Sequence, residues 1–237
     1  MHKIIGVIIA CCMTAMLSGC LNPGSEKTQS HVAYEAEMDA VQNAVLAYKK
    51  DTGVLPIKNS NEKTPLYKKY RIDFNRLIPK YMGKPPDNAY SEGGHFEYVI
   101  VNPEHDLQVK VIDLSLVAKV QEIKQRVENY RYNKGFSPIG GVIRAKVYKI
   151  DFKDIGYKEP PTVISPYSGQ PLSFVMDNES NVYINYLPDI YNAYKKSGKS
   201  ANNGEDLRYL LLKEHPYVPV DSLPYTIKNN QVVFLVK

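Results

Sequence analysis

The sequence predicts an α+β fold made of tandem repeats, each an amphipathic helix, a short helix and an antiparallel β-hairpin or small sheet. Three observations carry this. Tyr34, Met38, Val41, Val45 and Tyr48 are spaced four, three, four, three, which places one apolar stripe along a helix. The stripe returns in Leu116, Val120, Ile123, Val127 and Tyr130, followed by the same punctuation: Gly135 for Gly53 and Pro138 for Pro56. Each segment then ends in two short runs rich in β-branched and aromatic residues around a turn.

The organisation predicted in chain order is a signal peptide at 1–19, a lipidated Cys20 with a flexible tether to 31, repeats at 32–114 and 115–186, and a degenerate third repeat at 187–237. Lys3 gives a minimal basic start, and Ile4 to Leu17 is an apolar run too short to span a bilayer. The run closes on Leu17-Ser18-Gly19-Cys20. Small residues at Ser18 and Gly19 suit a narrow peptidase groove, and Cys20 supplies a thiol that can carry a thioether-linked lipid. Leu21 to His31 is almost wholly polar and reads as a tether lifting the rest off the surface.

Repeat 1 follows its helix with Gly53 as C-cap and Leu55-Pro56 as the exit. Tyr70-Arg71-Ile72-Asp73-Phe74 is matched in repeat 2 by Tyr148-Lys149-Ile150-Asp151-Phe152, and Leu77 by Ile155. Pro85-Pro86 and Tyr90-Ser91 have counterparts in Pro160-Pro161 and Tyr167-Ser168. The strand runs are Phe96 to Val101 with Leu107 to Ile112, and Leu172 to Met176 with Asn181 to Asn185. Asn102-Pro103 and Asp177-Asn178 are the turns. In repeat 3 the stripe is Leu187, Tyr191 and Tyr194, with Pro188 in the first turn and Gly198 near the cap. Asp206 to Leu212 is the short helix, and Tyr225 to Lys228 pairs with Gln231 to Val236 across Asn229-Asn230.

Composition describes a globular protein, 43% hydrophobic and 23% charged. The formal charge is +5, and removal of residues 1–19 takes away only Lys3. A mild excess with no arginine-rich or lysine-rich block argues against nucleic acid and suits an anionic envelope surface. Of three cysteines, Cys11 and Cys12 fall in the signal, so residues 20–237 contain no disulfide and depend on their core. Tyr is frequent at 19 and Trp is absent. Tyr serves half-buried strand faces and also contact surfaces for protein or carbohydrate.

Leu17 to Cys20 resembles the lipobox of bacterial lipoproteins. The resemblance implies cleavage between Gly19 and Cys20, covalent diacylglycerol and a palmitate-type acyl chain on Cys20, and a place on the extracytoplasmic face of the cell membrane. An ordinary secretory signal with an incidental cysteine is the competing reading. Tyr48 to Pro56 resembles the helix exit of type IV pilin and pseudopilin head groups. Ser165-Pro166-Tyr167-Ser168-Gly169-Gln170-Pro171-Leu172 is similar to the turn leading into their first sheet hairpin. This chain replaces their long assembly helix by a lipoprotein signal, so the resemblance implies a fold and not a filament. Over its whole length the chain also resembles uncharacterised lipoproteins of spore-forming Gram-positive bacteria, some of them described as transporter binding proteins.

Candidate chemistry is sparse. His31, His95, His105 and His215 form no pair at metal-ligand spacing, although His95 and His105 flank one hairpin with Glu97, Glu104 and Asp106 near. Gly93-Gly94 and Gly140-Gly141 lack the Lys-Ser/Thr of a phosphate loop and read as bends before strands. Asp73 and Asp151 occupy equivalent positions, which favours capping over a catalytic pair. Pilin-like heads sometimes hold calcium through loop carboxylates, for which Asp87, Glu92, Asp177 and Glu179 are the available residues, but nothing in the sequence fixes their geometry. The expectation is therefore no catalytic residue, no metal site and no cofactor beyond the lipid on Cys20. The functional reading is a non-enzymatic, membrane-anchored lipoprotein that binds another envelope component or scaffolds an assembly. The alternative is a solute-binding lipoprotein of an ABC transporter, and the third is a factor acting on wall polymer.

Overall fold

The computed structural model describes residues 23–198 and 201–235. It is an α+β protein in two compact units, Met1–Asp39 and Ala40–Lys237. The described part of the first unit is helical and belongs to α1, Pro23–Thr52. This helix starts inside the segment expected to be a tether. A proline is tolerated in a first turn, and extending a helix already nucleated costs little per residue even for polar side chains. Met38 of the stripe is half-buried.

In the second unit, Val41 and Val45 of α1 are fully buried and Ala44 nearly so. Gly53 closes the helix at φ 74°, its N–H donating to the Lys49 carbonyl at 2.9 Å. The hairpin β1 (Phe96–Val101) and β2 (Gln108–Asp113) runs in register from Phe96↔Asp113 to Val101↔Gln108. Gln42 clamps it to α1. Its amide donates to the Leu107 carbonyl at 3.1 Å and accepts from the Val109 N–H at 2.6 Å. The outer edge of β1 is met by Arg71, and Ile72 bridges Ile57 beyond it. The outer edge of β2 runs parallel to residues 216–218. Val111 N–H donates to the Pro216 carbonyl, and Val218 N–H to the Val111 carbonyl.

The helix α2 (Leu114–Lys134) is capped by Asp113, whose carboxylate accepts the Ser115 N–H at 2.8 Å, and ends at Gly135 with φ 80°. Its stripe of Leu116, Val120, Ile123 and Val127 is buried as the spacing predicts. The strands β3 (Ile139–Arg144), β4 (Val147–Ile150), β7 (Phe174–Asp177) and β8 (Val182–Ile184) form one antiparallel sheet in the order β3-β4-β7-β8. Between them β5 (Val163–Ile164) pairs with β6 (Pro171–Leu172). Gly140 and Gly141 lie within β3, not before it. They sit at a register shift, with Gly141 at φ 151°, and a Cβ on Gly140 would press on the Ile150 and Asp151 backbone. Two glycines at a bulge suit such a close approach and are easily mistaken for a bend.

The backbones that follow α1 and α2 make corresponding bonds. Asp73 N–H donates to the Pro56 carbonyl at 2.8 Å, and Asp151 N–H to the Pro138 carbonyl at 2.8 Å. Ile57 bridges Ile72 as Ile139 pairs with Ile150. Arg71 meets Val99 on β1, while Tyr148, the counterpart of Tyr70 and not of Arg71, meets Met176 on β7.

The helix α3 (Leu187–Lys196) carries Pro188 in its first turn and buries Ile190 and Tyr194. Tyr191, expected on the stripe, is exposed; Ile190 lies on the buried face instead. The short helix α4 (Tyr209–Leu212) covers only the end of the expected 206–212 segment. The hairpin β9 (Tyr225–Lys228) and β10 (Gln231–Phe234) turns through Asn229 and Asn230, both at positive φ, as an Asn-Asn turn between strands requires. One core joins these parts: Val99, Ile112, Val127, Ile184, Ile190, Leu211 and Tyr225 belong to a single buried cluster.

Candidate functional site

Two features stand out, a polar cleft and an apolar edge. The cleft encloses about 570 Å³ between α3, α4 and the turn that starts at Ser165. Asp189 forms part of its wall from the first turn of α3, where a carboxylate is favoured by the helix dipole. It is 3% exposed. Ser165, equally buried, accepts the N–H groups of Tyr167 and Ser168 and donates its hydroxyl to Asp189 Oδ2 at 2.9 Å. Asp189 Oδ1 is buried with no hydrogen-bond partner among the described residues. An acceptor left in that state costs about 1–3 kcal/mol, more for a charged group.

The aromatic side of the cleft is Tyr167, whose ring meets His215 edge-on at 5.3 Å and Tyr186 at 5.8 Å. Burial pushes the Tyr167 phenol well above its ordinary range, so it stays protonated. Burial holds the His215 imidazole below its ordinary value, against the opposing pull of Glu214. The rim carries Lys195, Lys196 and Lys213. Lys195 stands over the Tyr191 ring and Lys213 over the Tyr209 ring, while Lys196 pairs with Glu214 at 3.4 Å.

The apolar edge is β3. Ile139, Val142 and Ile143 are exposed, and Phe136 and Tyr132 just before them are 61% and 90% exposed. Among the described residues no strand pairs with the outer side of β3. Register shifts between Ile139 and Gly141 and between Val142 and Arg144 break the regular row of edge bonds. Such bulges blunt an edge against indiscriminate strand addition and leave the side chains as its contact elements. Lys134, Arg144 and Lys149 are basic residues of the same stretch of sequence.

The residues singled out from sequence fall elsewhere. Gly19 and Cys20 lie outside the described residues. Asp73 accepts the Asn75 N–H at 3.2 Å and caps a 3-10 turn, Phe74–Arg76; Asp151 accepts from Lys153 and Asp154 in the same manner. Asp177 accepts the N–H groups of Glu179 and Asn181 and the Tyr183 hydroxyl, so its carboxylate is used by its own turn. Asp87 pairs with Lys84. Among the described residues no three His, Cys, Asp or Glu side chains gather as a metal-ligand set, and no helix is long and apolar enough to cross a membrane. Asp189, Ser165 and the partnership of Tyr167 with His215 were not foreseen. Leu187-Pro188-Asp189 signals only a helix start, and no local pattern brings Ser165 to it.

Residues 34–113 match the model of the YphF family N-terminal domain. The matched segment begins in α1 and ends on Asp113, the last residue of β2 and the cap of α2. No curated protein and no solved structure matches the chain.

Proposed function

We propose that this chain is a membrane-anchored, extracytoplasmic lipoprotein without enzymatic activity, in which tandem α+β units present a surface to another envelope protein. The lipobox-like Leu17-Ser18-Gly19-Cys20 supports the anchor, with the lipid on Cys20. The paired bonds Asp73 to Pro56 and Asp151 to Pro138 support the tandem organisation, because matched residues make matched backbone contacts. The observation that carries the docking role is the β3 edge. Ile139, Val142 and Ile143 with Phe136 and Tyr132 form an exposed apolar stretch of a kind that marks a contact surface. Lys134, Arg144 and Lys149 in the same stretch favour a protein with apolar anchors and some acidic residues at its rim.

The test is a photo-crosslinking residue at position 142 of the lipidated protein in intact cells. The expected result is one reproducible envelope-protein adduct that disappears on Ile139→Glu with Ile143→Glu. Adducts only with lipid, or none, reject the docking role.

A second reading, a solute-binding lipoprotein of an ABC transporter, is favoured by the Asp189 cleft. Crosslinking of a transporter permease would select it.

A further inference from the structure

The cleft combines a buried acceptor with a basic rim. Asp189 Oδ1 has no hydrogen-bond partner among the described residues, and Ser165 holds the other carboxylate oxygen in place. Lys196 is matched by Glu214. Lys195 and Lys213 keep their ammonium groups over Tyr191 and Tyr209 at 4.8 Å and 5.2 Å, an attraction that orients a cation without neutralising it. A simple cation drawn to Asp189 meets these lysines. A simple anion drawn to the lysines meets Asp189. A neutral polyol satisfies Asp189 but leaves the rim unused. A molecule with an ammonium at one end and a carboxylate at the other answers both. The space, about 570 Å³, is of the size that holds small ligands.

We propose that this cleft binds a small zwitterion, an amino acid or short peptide, whose ammonium faces Asp189 and whose carboxylate faces Lys195 and Lys213. The inference rests on the solute-binding reading for the presence of a ligand and does not need a transporter. Binding by the purified protein with no permease captured in cells would keep the site and remove the transporter.

The experiment titrates the full chain with glycylglycine while the His215 ring signals are followed by NMR, since His215 lines the same cleft. Methylammonium, acetate and glycerol are the comparison probes. Glycylglycine is expected to saturate, and to bind about tenfold more tightly than any comparison probe. Asp189→Asn, which keeps shape and can still accept from Ser165, is expected to weaken it about tenfold. Lys213→Gln on the exposed rim weakens it severalfold and decides the matter if Asp189→Asn does not fold. A response that does not saturate overturns the proposal. So do equal affinities for glycylglycine and methylammonium, and binding unchanged in the variants.

Discussion

Lys68 Nζ lies 2.6 Å from Asp221 Oδ1 and 2.8 Å from Oδ2, joining a 3-10 turn early in the chain to the approach to its last hairpin. Both side chains are largely buried, so neither charge is well served by water once the other is gone. The pair is one of several ties between the two ends. Val111 bridges Tyr217, and Lys110 donates to the His215 carbonyl at 2.9 Å. Lys68→Met is therefore expected to lower stability by about 1–3 kcal/mol. A urea titration followed by circular dichroism checks this. A midpoint equal to that of the parent would assign the pair no energetic role. The same ties predict that residues 34–113 expressed alone lack a cooperative melt, because the outer side of β2 loses residues 216–218.

Val45 and Val127 occupy equivalent stripe positions and both are fully buried. A carboxylate placed at either site has no partner and no water, a cost of several kcal/mol against a total stability of about 5–15 kcal/mol. Val45→Asp and Val127→Asp are each expected to abolish cooperative thermal unfolding or to lower the midpoint strongly. Val127 lies in the cluster that joins α2 to the β3-β4-β7-β8 sheet, so its variant is expected to expose more of the core to a hydrophobic dye. Parent-like melting in both would contradict the burial of the stripes.

What could be read from sequence follows from locality. Val41, Val45, Val120 and Val127 announce themselves by helical spacing, Asn229-Asn230 by turn chemistry, and Asp73 by its place before a short helical turn. β3 was missed because Ile139-Gly140-Gly141-Val142-Ile143 lacks the alternation of a half-buried strand. Its side chains are mostly exposed, and its bulges shift the period. Tyr191 was placed on the wrong face because a stripe of three positions leaves the helix phase loose, and Ile190 satisfies the core equally well. The cleft was illegible because Ser165 reaches Asp189, and Tyr167 reaches His215, only after β7, β8 and α3 have packed. No spacing rule encodes such meetings.

Cys20→Ala tests the anchor independently of the fold. The lipid would supply about 0.8 kcal/mol for each buried methylene, and two or more chains suffice for durable attachment. The variant is expected to lose incorporation of a labelled fatty-acid precursor and to move from the membrane fraction to the soluble fraction, with its melting curve unchanged. Continued labelling would reject Cys20 as the lipidated residue.

His215 gives the cleft a pH dependence whose sign is fixed. Burial lowers its folded-state pKa below the ordinary 6.5; Glu214 and Asp189 oppose this, while Lys196 and Lys110 reinforce it. Above the unfolded value the imidazole is neutral in both states, and its contribution to stability is complete. As pH falls below that value the unfolded chain takes up the proton first, and stability declines until the folded histidine also titrates. The melting temperature is therefore expected to fall between about pH 7 and about pH 5, before most carboxylates protonate. His215→Gln is expected to flatten this segment of the curve. A titration of the His215 ring by NMR reads the same quantity directly. A midpoint at 6.5 would remove the expected slope and one above it would reverse it, placing the imidazole in a more solvated or more acidic setting than the Tyr167 contact implies.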